Sequence, residues 1–222
     1  MSTAGMLSTA GIQSTAGIQG NLFEETLDEP ALHALSGHVI RRTLTDGAWV
    51  DLRQNWVGGT DPLFHHLLAA VPWRDERRQM YDRVVDVPRQ LCFYDVGAPM
   101  PHPILDTART ALTDHYREEL PEGFATAGLC HYRGGSDSVA WHGDTIGRGS
   151  THDTMVAIVS LGSPRPLMLR PRCGGTALRF MVSHGDLLVM GGSCQRTWEH
   201  AIPKVPSAGP RISVQFRPPG VR

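Results

Sequence analysis

Lysine is almost missing from this chain. Of the 21 basic residues among 222, Lys204 alone is lysine, so arginine carries the positive charge. A genome rich in arginine codons produces that bias. So does a protein that grips carboxylates or phosphates with planar guanidinium forks. Net charge is scarce too, and a value of −1 at pH 7 excludes a molecule-wide footprint for nucleic acid. Any such binding needs a local basic patch. Cysteine is sparse: Cys92, Cys130, Cys173 and Cys194 form no C-x-x-C pair, and no basic segment leads into an apolar run at the N-terminus. We therefore expect free thiols in a reducing cytoplasm, with no disulfide framework and no secretory signal. No run of about 18 apolar residues is present, so no membrane partner is expected.

Residues 2–19 are three hexapeptides, Ser2-Thr-Ala-Gly-Met-Leu7, Ser8-Thr-Ala-Gly-Ile-Gln13 and Ser14-Thr-Ala-Gly-Ile-Gln19. Three units this short cannot bury a solenoid core, and their composition predicts a disordered tail over 1–20. The remainder, 21–222, reads as one domain and a monomer. A helical N-terminal part would occupy 21–124, and a strand-rich core 125–218.

A strand or two is expected between Asn21 and Val57. Thr60-Asp61-Pro62 predicts a helix start, with a capping residue before a proline in the first turn and the helix running to Ala70. The segment Trp73 to Arg89 carries Arg74, Arg77, Arg78, Arg83 and Arg89. It reads either as a phosphate-tracking surface or, given Asp75, Glu76, Asp82 and Asp86, as ordinary surface ion pairing. Ile104, Leu105, Ala108, Leu112, Tyr116 and Leu120 predict an amphipathic helix of about four turns. From Thr126 onward eight short strands are expected: 127–133, 139–144, 155–161, 167–170, 177–182, 186–190, 197–201 and 211–217. Their number and turn spacing predict a mainly β, α+β fold. It would be a double-stranded β-helix (jelly roll) with N-terminal helices packed on the outside.

Candidate chemistry gathers around Trp141-His142-Gly143-Asp144 and His200. On an extended strand His142 and Asp144 would share a face. Two imidazoles and a carboxylate on one side of a metal leave the other side open, the pattern of non-haem Fe(II) oxygenases. Alone, a His-x-Asp pair is ordinarily a solvated loop. The signal sharpens where Arg211, Ser213, Gln215 and Arg217 alternate with Ile212, Val214 and Phe216. A polar stripe of that kind normally faces water; two arginines just after the third ligand suggest instead an anion pocket. Glu199 would point away from His200, and His131, His184, His65 and His66 read as structural.

Together these residues resemble the Fe(II)/2-oxoglutarate dioxygenases, in particular the AlkB alkylation-repair branch. The resemblance rests on His142-x-Asp144, His200, Arg211-x5-Arg217, Tyr132, Val159-Ser-Leu-Gly162 and His184-Gly-Asp-Leu-Leu-Val-Met190. It implies Fe(II) on His142, Asp144 and His200, with 2-oxoglutarate and O2 as co-substrates. Arg211 would hold the distal carboxylate of 2-oxoglutarate and Tyr132 support it, with Arg217 near the metal. Cys130 and Ser213 stand where the family commonly has asparagine and Gln215 where it has threonine, which alters the hydrogen bonding around 2-oxoglutarate. The implied activity is demethylation of N-alkylated bases in DNA or RNA. Trp73, Phe93 and Tyr94 would stack on the base, and Arg89 would contact phosphate. Ile146 replaces an acidic base-reading residue, leaving Arg148 or Thr145 to touch the substrate. A hydroxylase of a small molecule or protein side chain, or a jelly-roll binding module without turnover, remain alternative readings.

Overall fold

The computed structural model describes Met1 and residues 29–80, 83–145 and 147–221, with the side chains at 77–80, 83–86 and 148 outside that description. The hexapeptide repeats lie outside it as well. In chain order the elements are β1 (Ala31–Leu32), β2 (Ile40–Thr43), β3 (Ala48–Arg53), β4 (Val57–Gly58), α1 (Thr60–Ala70), β5 (Arg74–Met80), β6 (Arg83–Tyr94) and α2 (Pro103–His115). There follow β7 (Thr126–Tyr132), β8 (Val139–His142), β9 (Val156–Gly162), β10 (Arg165–Pro171), β11 (Leu178–Val182), β12 (Leu187–Gly192), α3 (Cys194–Thr197), β13 (Trp198–Ile202) and β14 (Arg211–Arg217). Among the described residues no helix is long and apolar enough to cross a membrane.

Two antiparallel sheets face each other. The larger runs β2-β3-β12-β9-β14-β7-β6-β5 and the smaller β11-β10-β13-β8, with β1 and β4 paired apart. Alternation along the strands divides the larger sheet into two apolar surfaces. Ala157, Val159 and Leu161 of β9, with Ile212, Val214 and Phe216 of β14, pack against Leu63 and Leu67 of α1 and Leu105, Ala108 and Leu112 of α2. The other surface, with Cys130, Tyr132, Ile158, Leu188 and Met190, meets Leu167, Leu169, Phe180, Val182, Trp198 and Ile202 of the smaller sheet. A strand covered on both sides carries apolar residues on both faces, which is why β9 reads Val-Ala-Ile-Val with little polar alternation.

All eight expected C-terminal strands are present, and the jelly-roll arrangement holds. In the N-terminal half α1 and α2 pack on the outer face of the larger sheet, and β2 and β3, within the stretch where a strand or two was expected, extend one edge of it. The β5–β6 hairpin at the other edge departs from expectation. The arginine-rich segment hid its strand character because its side chains are charged and lack an apolar stripe. Pro88 is tolerated within β6 because pairing with β7 begins at Gln90, and the pairing with β5 is irregular between Asp75 and Arg77. At the start of α1 the capping residue expected within Thr60-Asp61-Pro62 is not found there: Gly59 takes that place at φ 58°, with no side-chain cap bond. Proline at the start of α2 matches a first-turn role, with His102 Nδ1 accepting from the Ile104 N–H at 3.2 Å. That helix ends at His115, short of four turns. Tyr116 and Leu120 follow in turn structure and still enter the core.

Candidate metal centre

In the smaller sheet, β13 and β8 are antiparallel neighbours whose register sets His200 directly opposite His142. Their ring centroids lie 4.2 Å apart. Asp144 arrives by a route that strand alternation does not describe. β8 ends at His142, and Asp144 belongs to the loop beyond it. Its N–H donates to Gln195 Oε1 at 2.9 Å, and Gln195 is itself buried just after β12. Gly143 permits the turn, since a Cβ there would meet Arg172 Nη2 and the Gln195 carbonyl, each at 2.5 Å. The three donor atoms lie within 4.8 Å of one another.

The electrostatics suit a cation. His142 Nδ1 lies 2.9 Å from the Ala140 carbonyl, an N–H···O bond that leaves Nε2 with its lone pair 3.6 Å from Asp144 Oδ1. Asp144 is 5% exposed. Burial opposes its charge, but Arg217, His200 and His142 outweigh that and hold the carboxyl at about 2. Burial, helped by nearby His142, depresses His200 to about 3, so its imidazole is neutral and able to ligate. His142 is the open member, its side chain 38% exposed. Glu199 faces outward onto Arg170 and Arg172, as its neighbour position implied.

The polar stripe of β14 faces inward rather than toward water. Arg211 is 1% exposed. Its Nε donates to Ser160 Oγ at 2.9 Å, while Nη1 and Nη2 are buried without a partner. A buried guanidinium with two unfilled donors is costly and calls for an anion. The Tyr132 ring lies 5.1 Å from its Cζ, and burial pushes that phenol up to about 12. Arg165, fully buried, binds the carbonyls of Gly134, Asp137 and Pro203 and sits 5.6 Å from the same ring. Arg217 donates from Nε to Asp144 Oδ2 at 2.7 Å. Ser213 and Cys130 share the inner face, where both accept from Gln215 Nε2, at 3.0 and 3.4 Å.

The substrate candidates separate. Phe93 lies on the inner face opposite Gly128 and is 39% exposed. Trp73 and Tyr94 pack against the helix-side core instead, Trp73 beside His131 at 5.3 Å. The larger sheet stands between them and the metal cluster, so the stacking role read for those two does not match their position. For Tyr94 the cause is parity: two strand neighbours cannot both face inward. Arg89 is half-buried, donating to the Ser138 carbonyl at 3.2 Å with its Nε enclosed and unpartnered, which is not the posture of a surface phosphate contact. The Arg148 side chain lies outside the described residues. Sequence reasoning passed over Ser160, Gln195 and Arg165. Ser160 stood within a quoted motif without a role, and nothing local marks the other two.

Two imidazoles and one carboxylate fit Fe(II), and the unfilled Arg211 donors fit the distal carboxylate of 2-oxoglutarate. The family pattern described as the 2OG-Fe(II) oxygenase superfamily matches residues 92–217. Bovine alpha-ketoglutarate-dependent dioxygenase alkB homolog 3 is 29% identical over 203 residues, covering 80% of this chain and 66% of the relative. The DNA oxidative demethylase ALKBH2 of Arabidopsis thaliana is 27% identical over 206 residues, covering 76% and 63%. The chain thus spans about two thirds of these relatives' length. The solved structure of OsALKBH1 shares the fold, with a TM-score of 0.56 at 13% identity over 79% of this chain and all of that one. The matched pattern places this chain in the 2OG-Fe(II) oxygenase superfamily, and the inward-facing His142, Asp144 and His200 are donors of the kind that iron needs.

Proposed function

We propose that this chain oxidatively removes N-linked alkyl groups from nucleic-acid bases, with methylated adenine or cytosine in DNA as the leading substrates. The carrying observation is the Arg211 fork, buried with two unfilled donors on the inner face of β14, the face from which Arg217 reaches Asp144 of the His–Asp–His cluster. Fe(II) held by His142, Asp144 and His200 would let 2-oxoglutarate and O2 hydroxylate the N-alkyl carbon, with succinate and CO2 as the co-products. The C–N bond then breaks, its electron pair returning to the base nitrogen, the carbon leaving as an aldehyde, and the hydroxyl proton passing to a neutral nitrogen or, from a cationic ring nitrogen, to water. The chain itself supplies position and charge. Arg211 would orient 2-oxoglutarate, Arg217 neutralises Oδ2 of Asp144, and the apolar core between the two sheets keeps water from the site. His142 marks the open side by which an acceptor enters.

The nucleic-acid reading draws on the alkB homolog 3 and DNA oxidative demethylase relatives. Phe93, half-open beside the chamber, supports it as a stacking surface, and so does the arginine-rich β5–β6 hairpin at the sheet edge. A small-molecule or protein acceptor is the competing reading, favoured by the burial of Trp73 and Tyr94 on the helix side. Succinate release across an acceptor panel tests the two. Methylated oligonucleotides should stimulate it, more weakly as salt rises. Charge reversal at Arg77 and Arg78 should reduce oligonucleotide-dependent turnover and spare uncoupled decarboxylation. Stimulation by other acceptors, with oligonucleotides inert on an iron-loaded sample, overturns the nucleic-acid reading.

A further inference from the structure

The inner face of β14 carries a polar residue, Gln215, that touches none of the three candidate ligands directly yet bonds the arginine that does. Gln215 stands between Ser213 and Arg217. Its Oε1 accepts from Arg217 Nη2 at 2.6 Å, and its Nε2 donates to Ser213 Oγ at 3.0 Å and Cys130 Sγ at 3.4 Å. Arg217 Nη1 also reaches the Gln215 main-chain carbonyl at 3.4 Å. The amide can sit only this way round, because the reverse orientation would set its NH2 against guanidinium donors. The neighbouring strand makes room. Gln215 pairs in register with Gly128, where a Cβ would come within 2.9 Å of Arg217 Nη1 and 3.7 Å of Gln215 Oε1.

We propose that Gln215 is a positioning residue for the metal centre: it holds the Arg217 guanidinium so that Nε engages Asp144 Oδ2 and leaves Oδ1 turned toward His142. The proposal rests on reading His142, Asp144 and His200 as metal ligands. A long arginine side chain samples many rotamers, and a single contact to Asp144 does not fix its plane. The Gln215 amide adds a second point of attachment, and Ser213 and Cys130 brace that amide in turn. Ligand-orienting partners of this kind typically govern metal affinity by roughly 10- to 100-fold. This also gives a role to three departures from the family motif: Cys130, Ser213 and Gln215 form one bonded set.

The test uses the metal-free full chain titrated with Co(II), a stable substitute for Fe(II), read by its visible d–d absorption. Wild type should take up one Co(II) per chain. Gln215→Met, which keeps the side-chain volume, should weaken binding by roughly tenfold or more and alter the band positions, with metal-free thermal unfolding little changed. Gln215→Glu should weaken it too, because a carboxylate at that place draws Arg217 from Asp144. If the Met variant does not fold, the Glu variant decides. Wild-type affinity and spectrum in the folded variants overturn the role of Gln215 alone. Should wild type bind no more Co(II) than His142→Ala, the metal-ligand reading falls, and the role of Gln215 with it.

Discussion

Arg217 donates to Oδ2 of Asp144 at 2.7 Å while the other carboxylate oxygen stands 3.6 Å from His142 Nε2, so the two oxygens of one buried acid face different partners. The arrangement joins the last strand to the loop after β8 across the interior. It keeps Asp144 charged where burial alone would protonate it.

Replacing Arg217 by Met should therefore raise the Asp144 pKa from about 2, because burial would act with less opposition. Protons would compete with metal at higher pH. Co(II) binding followed against pH should show its acid limb moved upward relative to wild type. An unmoved limb would assign the compensation to the histidines instead.

Arg211→Lys keeps a positive charge and loses the planar fork. Loss of a charge-assisted bond costs about 1.5–3 kcal/mol, or roughly 10- to 150-fold in affinity. Calorimetric titration of 2-oxoglutarate into Mn(II)-loaded protein without oxygen should register that weakening. Equal affinity in the Lys variant would place the carboxylate elsewhere.

Phe93 and Trp73 make a matched pair of tests, since one lies on the inner face and the other on the helix side. Phe93→Ala should raise the KM for a methylated oligonucleotide, with a stacking contact worth about 1–3 kcal/mol, and leave 2-oxoglutarate affinity alone. Trp73→Ala should chiefly lower the thermal unfolding temperature. The reverse pattern would put the acceptor on the wrong side of the sheet for the chemistry proposed.

Acid should destabilise the metal-free chain early. Burial holds His200 at about 3, well below an unfolded histidine near 6.5. The unfolded chain therefore binds a proton that the folded chain refuses. That contribution is present above about pH 6.5 and is lost as pH falls toward 3. Asp144, depressed to about 2, adds a further loss below the ordinary aspartate range near 3.9. Thermal unfolding against pH should decline through this window, less steeply in His200→Asn. A flat profile between pH 6.5 and 4 would show that His200 is solvated in the metal-free state.

How much of this was legible depends on where the information is stored. The eight C-terminal strands could be read because period-two patterning and glycine turns are local, and β14 showed its polar and apolar faces plainly. The edge strand β5 could not, since a charged edge strand need bury neither face. Phe93 and Tyr94 are neighbours in sequence, and only the pairing of β6 with β7 reveals which of them looks inward.

Donor types, the alternation of β14 and the family pattern are legible in the chain alone, because residue chemistry and strand period are local properties. Tertiary structure decided which face of β14 is interior, since a polar stripe reads the same whether it meets water or a closed chamber. It also brought Asp144 to the histidines through Gln195 rather than through a strand. It left two Arg211 donors unfilled, and it set Gln215 between Arg217 and Ser213 in the space of Gly128. Each of these joins segments far apart in the chain, and packing between the sheets is what brings them within hydrogen-bond reach.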